Sequence, residues 1–197
     1  MSKSLTGTAL EQTFSNARTF NKFTPETITD EILVQLYELM KWAPTSMNSQ
    51  PGHFVFVKTA AAKQRLNSTL MAGNQEKALA APVTVIIAAD TKFFNNLPEQ
   101  FPAMPNAKEM FAGNAAFSEA TANRNSSMQG AYLIIAARML GLDCGPMSGF
   151  DNDAVDAEFF FEGRYKSNFL INLGYGDSSG NYPRGPRLTF AQAASII

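Results

Sequence analysis

The sequence predicts an α+β fold, and three observations carry that reading. Residues 29 to 42 place Ile32, Leu36, Leu39 and Met40 on one helical face. HFVFVK and VTVIIAA are short runs rich in β-branched and aromatic residues, as strands are. The stretch from about 125 to 140 is the strongest helical segment of the chain.

Taken in order, Thr29 and Asp30 are candidate caps for the first helix, because a side-chain oxygen there accepts from backbone N–H groups that lack an intrahelical acceptor. APTSMNSQP (43 to 51) stops it. Pro44 disfavours helical geometry at Ala43 and Pro51 does so at Gln50, which displays Thr45, Ser46, Asn48 and Ser49 on a loop pinned at both ends. Such a loop is either an ordinary helix-ending turn or a mount for a polar ligand. A strand at 53 to 58 follows, then helices at about 60 to 71 and 72 to 81, after which Pro82 opens a buried strand at 83 to 89. Residues 91 to 118 change character: Pro98, Pro102 and Pro105 stand among aromatics and amides, and the segment reads as an excursion or lid over the core. The helix at 125 to 140 ends at Gly141, in the position after a helix that favours left-handed geometry. LDCGPMSGFD (142 to 151) reads as a turn whose glycines let backbone N–H groups approach something flat, or as a tight helix-to-strand connection. A capped helix at 152 to 161 and a strand at 168 to 174 complete the layout. There is no internal repeat, so residues 1 to 197 are expected to form a single domain.

Composition excludes several kinds of chemistry. At 197 residues and 45% hydrophobic content the chain can bury a core, and sixteen basic against seventeen acidic residues leave a net charge of -1. No run of five like charges offers an arm for nucleic acid or a membrane surface. The longest apolar runs, AYLIIAA and VTVIIAA, fall far short of the roughly 20 residues of a membrane span. The opening MSKSLTGTALEQ has no hydrophobic leader, and with the single Cys144 a cytoplasmic location is expected. One histidine, His53, and one cysteine cannot supply the ligands of a typical zinc site, so no metal is expected. His53 heads a strand and is read as structural, and Cys144 as a buried, inert thiol. Neither a nucleophile elbow nor a phosphate loop is present, so an enzyme of this composition would rely on a cofactor.

Five segments in order change the reading: RTFNKF (18 to 23), WAPTSMNSQPGHFVFV (42 to 57), GNQEK (73 to 77), LGLDCGPMSGFD (140 to 151), and NLGYGD with PRGPR (172 to 187). Together they closely resemble the FMN-dependent nitroreductase family across nearly the whole chain. GLDCGPMSGFDNDAVDAEFF and the short NLGYGD tail look most like its malonic semialdehyde reductase branch.

The resemblance implies a homodimer with exchanged tails, a central, mostly antiparallel sheet flanked by helices, and two FMN sites at the subunit interface. Arg18, with Thr19 and Phe20, resembles the segment that holds the FMN phosphate, and Arg184 and Arg187 resemble its other basic partners. Guanidinium groups match phosphate oxygens with paired, charge-assisted hydrogen bonds. Asn74 and Lys77 match residues facing the flavin's pyrimidine edge, where an ammonium stabilises the reduced anion. Lys22 falls where some members place a second lysine. Pro44, Thr45, Ser46 and Asn48 resemble residues that cross the interface to the partner's flavin. Pro146, Met147, Ser148 and Gly149 resemble the segment along its ring, offering a backbone N–H from Ser148 or Gly149. Two positions depart from the pattern: Ser148 stands where many members have glutamate, and Phe20 where close relatives of the branch have histidine.

The implied chemistry is ping-pong hydride transfer from NADH or NADPH through FMN to a small acceptor, with no catalytic side chain. Malonic semialdehyde giving 3-hydroxypropionate is one acceptor; nitroaromatics and quinones are the alternative. For a carboxylated acceptor, Lys92, Lys108 and Arg124 are the available cations, Arg124 being best placed if it opens the strong helix. A flavin-binding redox sensor and a colourless interaction domain are the rival classes.

Overall fold

The computed structural model describes residues 4, 5 and 7–197; residues 1–3 and 6, part of the opening read above as lacking a leader, lie outside the described residues. Helix α1, Asp30–Met40, is capped by the Thr29 side chain, which accepts from the Ile32 N–H. It buries Leu33, Leu36 and Met40, whereas Leu39 is 46% exposed. At 100° per residue, Leu39 lies roughly 90° from the centre of the buried stripe, so the apolar face is rotated from the one expected.

Strand β1 (Gly52–Val57) leads into α2 (Ala60–Asn67), capped by Thr59, and α3 (Ala72–Ala80). Strand β2 (Val83–Asp90) is buried along its whole length, as an uninterrupted apolar run predicts for a central strand. After short helical turns at Phe93–Asn96 and Leu97–Gln100 comes α4, Ala107–Ala112. Phe93, Phe94, Leu97 and Phe111 from this stretch form their own apolar cluster with Ala122, and Phe111 stacks on Phe117 at 5.0 Å.

The long helix α5 spans Ala115–Met139 and starts about ten residues earlier than expected, at an Asn114 cap that accepts from Phe117 N–H. Before residue 125 it buries Ser118, Thr121 and Ala122. These residues are small or polar, so hydrophobic spacing does not reveal the helix there. Gly141, at φ 80°, ends it as predicted.

The expected 142 to 151 turn is in its first half a strand, β3, Asp143–Met147. Pro146 disguises it, yet β3 is the last strand of the sheet, where a residue without an N–H is tolerated. Helix α6 (Asn152–Phe159) is capped by Asp151, and β4 runs Tyr165–Gly174, beginning earlier than expected because its opening YKSN is polar. The four strands are antiparallel in the order β1-β2-β4-β3. Helices α1 and α5 pack against one face with Val83, Val85, Ile87, Ile171 and Leu173; Leu66, Val155 and Phe160 cover Ile86 and Leu170 on the other. Among the described residues no helix is long and apolar enough to cross a membrane.

Candidate functional site

Beyond β3 the early segment takes the place of a further strand: Thr19 bridges Cys144 in parallel and the Phe20 N–H donates to the Cys144 carbonyl at 3.0 Å. Phe20 therefore acts through its backbone, and its ring lies so close over Gly176 that a Cβ there would fall 2.2 Å from it. Lys22 is tied in similarly, its carbonyl accepting from Asp177 N–H at 3.0 Å.

This docking brings the two ends of the chain together. The Arg18 guanidinium donates to the Tyr182 carbonyl and that of Arg184 to the Ala17 carbonyl at 3.0 Å. Arg18, Arg184 and Arg187 line one cleft of about 500 Å³, together with Thr19, Asn21 and a fourth arginine, Arg138. No carboxylate lines it, and among the described residues none of the four guanidiniums forms an ion pair. Four like charges around one hollow repel one another, and an anion removes that repulsion. Arg138 was not anticipated. The available signal is that it is the only charged residue between Asn125 and Leu142.

A second group forms past the other end of β3. Asn74 on α3 donates its side-chain amide to the Gly149 carbonyl at 2.8 Å, and Met71 N–H donates to the same oxygen at 3.1 Å. A Cβ on Gly149 would sit 2.4 Å from Asn74 Nδ2, so any larger residue there would have to displace the Asn74 amide. Lys77, one turn along α3, is half-buried and meets no carboxylate among the described residues. Pro146 and Met147 belong to β3, Ser148 is exposed, and its carbonyl accepts from Phe150 N–H at 3.1 Å. The two groups are separated by the length of β3, roughly 13 Å at 3.3 Å per residue.

Pro44, Thr45, Ser46 and Asn48 are not gathered there. Their loop precedes β1, at the opposite side of the sheet from β3, and docks on α5: Ser46 N–H donates to Asn125 Oδ1 at 2.9 Å and Asn48 Nδ2 to the Gln100 carbonyl at 3.0 Å. Thr45 Oγ1 accepts from Gln50 N–H at 3.2 Å. Met47, Asn48 and Gln50 all have positive φ, a concentration of left-handed geometry that surrounding structure must hold in place. Arg124 lies inside α5, exposed, and not at its start as expected. Lys92 sits 5.7 Å from the Phe94 ring and lines a separate hollow of about 380 Å³ with Lys166; Lys108 is half-buried on α4.

The two chemically distinctive side chains stand apart from both groups. Burial pushes the Cys144 thiol up to about 12, which leaves no thiolate to react. His53 is stacked on Tyr165 at 3.9 Å; burial, against the opposing pull of Asp90, holds its pKa below the usual imidazole value.

The sequence model of the Nitroreductase family matches residues 15–175. The chain belongs to that family. Members similar to it include a "Putative NADH dehydrogenase/NAD(P)H nitroreductase" of Rhodopseudomonas palustris (strain TIE-1), 52% identical over the full length of both chains. A protein of the same name from Xanthomonas oryzae pv. oryzae (strain PXO99A) is 54% identical over 98% of each. The nitroreductase fold is shared with a crystallised "putative nitroreductase in complex with FMN" from Exiguobacterium sibiricum 255-15, at a TM-score of 0.84 and 20% identity over both whole chains.

Proposed function

We propose that this nitroreductase-family chain is an FMN-dependent oxidoreductase that passes hydride from NADH or NADPH to a small acceptor. The observation that carries the reading is the convergence of Arg18, Arg184 and Arg187 on a cleft without a carboxylate. FMN ends in a phosphate of nearly two negative charges, and this donor set fits it. At about 500 Å³ the cleft is within the ordinary range of small-molecule sites, roughly 300 to 1,000 Å³. The glycine-dependent contact of Asn74 with Gly149, about one strand length away, fits the other, flat end of such a cofactor. The FMN complex named for the Exiguobacterium sibiricum protein and the NAD(P)H in the relatives' names support the same assignment.

In this arrangement Arg18, Arg184 and Arg187 would bind the phosphate, with Thr19 and the Phe20 backbone holding Arg18 against β3. Asn74 and Lys77 would face the pyrimidine edge, Lys77 supplying a positive charge there. Pro146, Met147, Ser148 and Gly149 would line the ring and offer backbone N–H groups to it. Bound FMN would supply the redox chemistry, so no side chain has to act as nucleophile or base. Pro44, Thr45, Ser46 and Asn48, held away from their own chain's cleft, would complete the site of a second subunit, which makes the functional unit a homodimer.

Among acceptors, malonic semialdehyde is proposed first, on the resemblance of GLDCGPMSGFDNDAVDAEFF to that reductase branch. The deciding experiment is a visible spectrum of the purified protein followed by anaerobic NADPH, then turnover of malonic semialdehyde beside a nitrofuran and a quinone. A yellow protein that bleaches supports the reductase. One that stays yellow with both NADH and NADPH is a binder only, and a colourless one that takes up no added FMN refutes the reading. Turnover of the nitrofuran or quinone but not of the aldehyde assigns the broader reductase. Arg124→Ala is expected to raise KM for the carboxylated aldehyde alone; unchanged turnover removes Arg124 from the site.

A further inference from the structure

Arg138 differs from the other three arginines of the cleft in how it is held. Arg184 and Arg187 sit on the exposed stretch after β4, and among the described residues Arg187 donates only to the nearby Gly185 and Pro186 carbonyls. Arg138 stands in the last turn of α5, the helix packed on the sheet, where the negative end of the helix favours a cation. One Nη donates to the Thr13 carbonyl at 3.0 Å, and the Arg138 carbonyl accepts from Gln12 at 2.6 Å. Its Nε is buried and has no acceptor among the described residues. An arginine carries five N–H donors; one is spent on Thr13 and the Nε is buried, which leaves Nη donors of a side chain that lines the cleft.

We propose that Arg138 is the scaffold-fixed cation of the anion cradle: a phosphate-binding residue, assigned by no motif, that holds a guanidinium on the α5 side of the cleft. The proposal rests on the reading of the cleft as the FMN phosphate site. The charge balance supports it. Three guanidiniums already exceed one phosphate, so a fourth held unpaired on rigid helix costs self-repulsion unless it too faces the anion. A structural staple between residues 12–13 and α5 uses only one guanidinium N–H, the one on the Thr13 carbonyl.

The test compares FMN with riboflavin, which lacks the phosphate, by flavin-fluorescence titration of apo-protein. Wild type should bind FMN far more tightly than riboflavin. Arg138→Met should weaken FMN by roughly 10- to 100-fold, the range of a hydrogen bond to a charged group, with riboflavin affinity unchanged. Arg138→Lys should recover part of the loss, and inorganic phosphate should raise the melting temperature of wild-type apo-protein more than that of Arg138→Met. Equal loss of both flavins would make Arg138 a staple only, and full retention of FMN affinity would also overturn the proposal. If Arg138→Met does not fold, Arg138→Lys decides: a loss confined to FMN supports the role, and no loss or an equal loss overturns it. Wild type that fails to distinguish the two flavins refutes the reading of the cleft itself, a result separate from any effect of the substitution.

Discussion

Gly149 shows how one missing side chain shapes the site. Its carbonyl receives both Asn74 Nδ2 and Met71 N–H, and the space a Cβ would need is taken by the Asn74 amide. Gly149→Ala should cost about 1 to 3 kcal/mol of stability in urea unfolding, as overpacking does, and should loosen flavin by displacing Asn74. His53 gives a pH dependence whose sign follows from its burial. Its pKa is depressed in the folded state, so the stability it contributes is present above the ordinary imidazole value of 6.5 and is lost as pH falls through the lower folded value. His53→Phe, which keeps a ring against Tyr165, should therefore lose less melting temperature than wild type between pH 7 and pH 5. Cys144, buried and protonated, should resist a thiol-alkylating reagent at pH 8 in the native protein and react once unfolded, as mass spectrometry can record.

At the scale of elements, α5 and β3 are where local reasoning and structure part. The part of α5 before residue 125 buries only Ser118, Thr121 and Ala122, small or polar side chains that give no apolar period, so only the part from 125 onward was legible. The Asn114 cap starts that hidden part; Asn114→Ala should cost about 1 kcal/mol in the same urea measurement. β3 was hidden by Pro146, which an outer strand tolerates. By contrast α1, α2, β2 and α6 were legible because their caps and hydrophobic patterns are complete within a few residues. So was the loop between Pro44 and Pro51, although its three left-handed exceptions to ordinary geometry, Met47, Asn48 and Gln50, were not.

At the scale of the molecule, the loop and the cleft lie on opposite sides of one sheet, and the proposed dimer is what would join them. Ser46→Ala with Asn48→Gly tests this while respecting the backbone, since glycine accepts the positive φ of Asn48 where alanine would be strained. The double variant should keep its circular dichroism and lose FMN on dialysis. Full flavin occupancy would remove the loop from the site.

By itself the sequence determined the types of most elements, the family motifs and the identity of three cleft arginines, since caps, periodicity and motif spacing are short-range properties. Only the tertiary structure decided that Arg18 meets Arg184 and Arg187, that Arg138 joins them, and that Asn74 closes on Gly149. Those meetings depend on the order β1-β2-β4-β3 and on the 18 to 23 segment docking beside β3. Contacts between residues so far apart along the chain are set by how sheet and helices pack, and no local pattern records them.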